Sequence, residues 1–129
     1  TACSAGGQKE SEVTTLIYAN LTKDTYLQPG VDQAAVDRFN RTHEDIQIEV
    51  RDYFEENGIS GKTRLLTEIA AGNIPDIIDF GRSDKLPYER MARKGLLEDL
   101  WPYIENDPDL GREGVVEAPL KAAEVDGGL

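Results

Sequence analysis

The chain has 129 residues, with 25 acidic side chains against 14 basic ones and a formal net charge of −11. That length suits one domain able to bury a core without staples, and the charge repels nucleic acid and anionic membrane surfaces. A single Cys rules out an intramolecular disulfide, and one His beside it leaves a zinc site almost nothing to work with. No apolar run approaches the roughly 18 residues needed to span a bilayer.

The first twelve residues, "TACSAGGQKESE", are small and polar without periodicity, as in a flexible leader. From Val13 to Asn20, "VTTLIYAN" is β-branched and aromatic, which predicts a strand. Pro29-Gly30 marks a turn, and then Val31, Ala35, Val36 and Phe39 recur at helical spacing up to about Thr42. His43 follows in "RTHEDI", a polar turn in which a solvated residue is the better reading than a catalytic one. Ile46, Ile48 and Val50 then alternate with Gln47, Glu49 and Arg51, as a half-buried strand requires.

"NGISGKTRLL" contains Gly61-Lys62-Thr63, the last three residues of a phosphate-binding loop. The first Gly of that signature should stand at Glu56, and Glu55 and Glu56 would put carboxylates where a polyphosphate must sit. Ser60 is better read as the cap of a helix beginning near Gly61. Leu65, Leu66, Ile69 and Ala70 form its apolar stripe, and Gly72-Asn73 ends it. Pro75 opens "PDIIDF", a strand from Asp76 to Phe80 whose apolar run suits the buried centre of a parallel sheet. "LPYERMARKG" reads as a helix closed by Gly95, "LLEDLWPYIEND" as a short strand or turn and a short helix, and Pro119 opens a last helix.

Strand and helix alternate three times, which implies crossover connections and a three-layer α/β fold around a parallel sheet. Right-handed crossovers place the second strand on one side of the first and the third on the other, giving the order 2-1-3. Ligands of such sheets bind beyond the carboxyl ends of the strands. Three segments lie there: "ANLTKD", "DYFEENG" and "DFGRSD".

Three longer pieces resemble the extracellular solute-binding proteins of ABC importers, the family that includes maltose- and oligosaccharide-binding members. "AAVDRFNRTHEDIQIEV" is similar to the family's helix ending in Phe-Asn, its polar turn and its alternating strand. "KTRLLTEIAAGNIPDIIDF" resembles its helix, Ala-Gly, and Pro-Asp-Ile entry to the third strand. "YERMARKGLLEDLWPYIEND" resembles its Gly-Leu-Leu-x-x-Leu and the short helix after it. The resemblance implies a periplasmic-binding-protein-like lobe, with residues 13–129 as the N-terminal part of lobe one and that lobe incomplete. Family members are several hundred residues long and close two lobes around a solute.

The implied function is non-covalent capture of a small solute, most of all a sugar or oligosaccharide, for ABC permease subunits. No enzyme chemistry, cofactor, metal or nucleic-acid partner is implied. Asn20, Arg82, Ser83 and Asp84 are the candidate ligand contacts at the rim, for their hydrogen-bonding groups. Asp84 reads equally as a helix cap and Arg82 as a partner of a surface acid. Tyr53 and Phe54 can stack on a sugar face or serve as core or lid residues. Thr1-Ala2-Cys3 before Ser-Ala-Gly-Gly resembles the end of a lipobox, which implies lipidation of Cys3 and tethering to the extracellular face of a bacterial cell membrane, or else a periplasmic protein. Its alternative is a free thiol in a polar tail. The runner-up function is a receiver-like signalling domain with Asp79 as phosphoacceptor, but "YANLTKD" offers no acidic pair to hold magnesium.

Overall fold

The computed structural model describes residues 13–21, 33–80 and 87–129. The described elements run β1 (Thr14–Asn20), α1 (Gln33–Thr42), β2 (Ile46–Asp52), α2 (Gly61–Ala70), β3 (Ile77–Ile78), α3 (Tyr88–Arg93), α4 (Trp101–Asn106) and α5 (Glu117–Ala123). A short 3-10 turn at Arg112–Gly114 precedes α5. The chain divides into two compact units, 1–83 and 84–129.

In the first unit the three strands form one parallel sheet in the order β2-β1-β3. The long register runs from Thr14 opposite Ile46 to Asn20 opposite Asp52, so both strands end together. Parallel strands in this order need crossover connections, which α1 supplies between β1 and β2 and α2 between β2 and β3. Ala19, Val36, Tyr53, Leu65 and Pro75 are its buried apolar residues among those described, and Leu65 has no exposed surface.

Side chains fasten the strands where the ladder ends. On β2, the Asn40 amide donates to the Ile48 carbonyl at 2.9 Å, and its oxygen accepts the Ile48 N–H at 2.7 Å. Asn40 thus does for the outer edge of β2 what another strand would do, and ties α1 to it. At the start of β3, the Asp76 carboxylate accepts the Ile17 N–H at 2.8 Å while the Asp76 N–H donates to the Ile17 carbonyl. Pro75 beside it is buried and brings no donor of its own.

Helix ends follow local chemistry. The Ser60 hydroxyl accepts the Thr63 N–H at 3.2 Å, which caps α2 as its sequence implies. Gly72 and Gly95 have φ of 90° and 68°, and each closes its helix with the paired bonds of a Schellman turn. Gly72 and Asn73 donate to Ile69 and Glu68, while Gly95 and Leu96 donate to Ala92 and Met91.

Two expectations shift. β3 is only two residues long and lies at the outer position of the described sheet, with Ile77 36% exposed rather than centrally buried. Between Gly95 and α4 the turn alternative holds, and the Leu100 N–H donates to the carbonyl of Leu129. α5 begins two residues before Pro119, at Glu117, which still leaves Pro119 in the first turn where its missing N–H costs nothing.

In the second unit Met91 and Trp101 are the buried apolar residues described. The Trp101 indole donates to Glu124 at 2.7 Å, and Asp99 accepts the N–H groups of Trp101 and Leu129, each at 3.0 Å. Among the described residues no helix is long and apolar enough to cross a membrane.

Candidate functional site

A parallel sheet collects the carboxyl ends of its strands on one rim, so the last residues of β1 and β2 decide what that rim offers. Asn20 and Asp52 are those residues, and they face each other in register. The Asn20 amide donates to Asp52 Oδ1 at 2.8 Å, and Asn20 is 6% exposed while Asp52 is open to solvent. One step further, the Tyr53 N–H donates to the Asn20 carbonyl at 2.8 Å and extends the ladder beyond the strand. Beside β1, the Asp79 N–H donates to the Ala19 carbonyl at 3.1 Å and brings the end of β3 to the same rim. Arg82, Ser83 and Asp84 lie outside the described residues, as does Cys3.

Tyr53 does not join that pair. Its ring is 5% exposed, and its hydroxyl donates to Glu68 Oε2 on α2 at 2.5 Å. The Arg64 guanidinium lies 5.8 Å from the ring centroid, within range of a cation–π contact. Burial first, and then the Glu68 carboxylate, raise the Tyr53 hydroxyl above its ordinary pKa of 10.0. Tyr53 also lines a cleft of about 540 Å³ with Ile17, Arg51, Glu68, Asn73 and Pro75. Arg51 there is already engaged by Glu49 at 2.8 Å. Phe54 is half-buried, and its carbonyl accepts from Arg64 at 3.3 Å.

The incomplete phosphate-loop motif has a packing explanation. A Cβ on Gly61 would lie 1.5 Å from the Tyr53 carbonyl oxygen, so the first turn of α2 fits against the end of β2 only as glycine. Arg64 pairs with Glu56 at 3.2 Å, so the carboxylate standing in the motif's first Gly position meets an arginine of this chain. His43 is stacked on Phe39 with ring centroids 3.9 Å apart, and its Nδ1 lies 3.0 Å from the Phe39 carbonyl at the end of α1. Its place is that of a helix-end residue. Among the described residues no three His, Cys, Asp or Glu side chains are grouped to hold a metal ion.

Residues 18–122 match the model of the bacterial extracellular solute-binding protein family. The chain belongs to this family. Its structure is also similar to the ABC substrate-binding protein Lmo0181 from Listeria monocytogenes in complex with cycloalternan, at a TM-score of 0.67 and 26% sequence identity. The similarity covers 91% of this chain and 28% of that one, so this chain spans under a third of the length of Lmo0181. No curated protein matches it. Family and neighbour are substrate-binding proteins rather than enzymes, and the solute-binding reading displaces the receiver-like alternative.

Asp52 is the rim residue that sequence reasoning passed over. It stands in "DYFEENG", one position before the aromatic pair that drew attention. Its signal was its place as last residue of the alternating strand, but the register that sets it opposite Asn20 belongs to two strands at once.

Proposed function

We propose that residues 13–129 form the N-terminal part of the first lobe of a two-lobed receptor that captures an oligosaccharide for an ABC importer. The observation that carries this is the polar pair Asn20–Asp52, held in register at the carboxyl rim of a parallel sheet. An amide and a carboxylate there suit hydroxyl-rich solutes, which both donate and accept. The neighbour's complex with cycloalternan supports a carbohydrate as the solute class.

Arg82, Ser83 and Asp84, in the segment after β3, are the further contacts in this reading. Closure of the second lobe over the rim completes the site by hinge motion. Tyr53 serves from beneath, by fixing α2 against the strand that carries Asp52. Permease subunits take the closed, loaded form. Cys3 carries an acyl anchor in the extracellular face of the cell membrane, with residues 1–12 joining it to the lobe. Metabolic labelling with a fatty acid, lost in Cys3→Ser, tests the anchor separately.

Calorimetric titration of the two-lobed protein with maltotriose, maltoheptaose and cycloalternan tests the solute class. Binding of at least one at micromolar concentration or tighter is the expected result. No heat with any of them, together with no shift in thermal midpoint, contradicts the carbohydrate reading.

A further inference from the structure

We infer that Asp52 is a specificity-determining contact, its carboxylate taking a hydroxyl hydrogen of the solute while Asn20 holds that carboxylate in place. The inference rests on the carbohydrate reading above and deepens it. Asn20 contributes one amide hydrogen to Oδ1 at 2.8 Å, and among the described residues no other side chain donates to the Asp52 carboxylate. Oδ2 is therefore left to face solvent at the rim. The arginines nearest in sequence are committed elsewhere, Arg51 to Glu49 and Arg64 to Glu56.

The chemistry of this arrangement is selective. A carboxylate only accepts, so its match is a donor, and a hydroxyl bonded to a carboxylate makes a short bond about twice as strong as a neutral one. An anionic solute would meet a negative charge that no described cation offsets. A neutral, hydroxyl-bearing solute is the class that fits. Sites built around a hydroxyl reject the analogue that lacks it far more strongly than apolar pockets reject a missing methylene.

A purely structural role accounts for the pair less well. Backbone bonds already join β1 to β2 through this register, and the Tyr53 N–H carries the ladder one step further. Burying an amide at that position costs free energy unless it is hydrogen-bonded. Asn20 is buried and its partner is exposed, as expected of a group that aims another toward a ligand.

The test uses the two-lobed protein, the glucose oligosaccharide that it binds among maltotriose, maltoheptaose and cycloalternan, and monodeoxy analogues of that sugar. Asp52→Asn keeps an acceptor for Asn20 and removes the charge. It should weaken binding by roughly 10- to 100-fold with little change in thermal midpoint. One deoxy analogue should bind wild type and variant within about threefold of each other, because the hydroxyl that meets Asp52 is gone. A uniform loss across all analogues with a lowered thermal midpoint would overturn the inference in favour of a strand tie. Unchanged affinity in both Asp52→Asn and Asp52→Ala would overturn it while leaving the carbohydrate reading standing. Wild-type protein that binds none of the three sugars would overturn both.

Discussion

At Gly61 and Tyr53 single atoms decide whether α2 can meet the sheet. Gly61→Ala places a methyl 1.5 Å from the Tyr53 carbonyl oxygen, and backbone cannot yield as a flexible side chain would. A loss of about 3 kcal/mol or more is expected, at the upper end of overpacking costs, and urea denaturation measures it. Tyr53→Phe keeps the ring and removes the bond to Glu68, which should cost about 1 kcal/mol at neutral pH. The same variant changes the alkaline limit. Tyr53 holds its proton more tightly when folded than the ordinary value of 10.0. Its stabilising contribution is complete below about pH 10 and disappears as pH rises through the elevated folded value. Stability of the wild type should therefore fall above pH 10, and Tyr53→Phe should fall less steeply. Urea midpoints between pH 8 and 11 check this. Tyr18, raised by burial and then by Asp79, adds a slope of the same sign that the variant retains.

Among the elements, β2 was the most legible. Alternation of Ile46, Ile48 and Val50 predicts Ile46–Asp52, the strand that forms. The caps at Ser60, Gly72 and Gly95 were equally readable, because a cap is chemistry between residues a few positions apart. β3 was read too long and too central. "PDIIDF" is apolar enough for a core strand, yet Ile77 and Ile78 alone make up β3, in register with Tyr18 and Ala19. The bonds of Asn40 to Ile48 and of Asp76 to Ile17 were not legible, since each joins residues that only the fold brings together. For the same reason both Asn20 and Asp52 were legible as members of rim segments, but their pairing was not. Asn40→Ala should leave the Ile48 N–H and carbonyl unpaired on the outer edge of β2, at a cost of about 1–3 kcal/mol. Amide exchange at Ile48 should accelerate more than at Tyr18, which lies inside the sheet. Equal protection at both positions would show that the amide does not guard that edge.

For the whole molecule, family membership and similarity to under a third of a longer relative frame what this chain does alone. Besides Pro75, only six apolar side chains are buried among the described residues, while Ile59, Ile74, Leu100, Tyr103 and Val116 are each at least half exposed. Apolar surface of that extent favours association. The 129-residue chain by itself is expected to self-associate or to unfold with low cooperativity, as light scattering and calorimetry would record. A monodisperse monomer with a sharp transition would contradict that expectation. The most direct test of the central claim is a crystal structure of the two-lobed protein with its oligosaccharide bound. The account predicts sugar hydroxyls within hydrogen-bonding distance of the carboxyl rim, at Asp52 and in the segment after β3. Sugar seated instead in the cleft between Arg51, Tyr53 and Asn73, with the rim left in solvent, would contradict it.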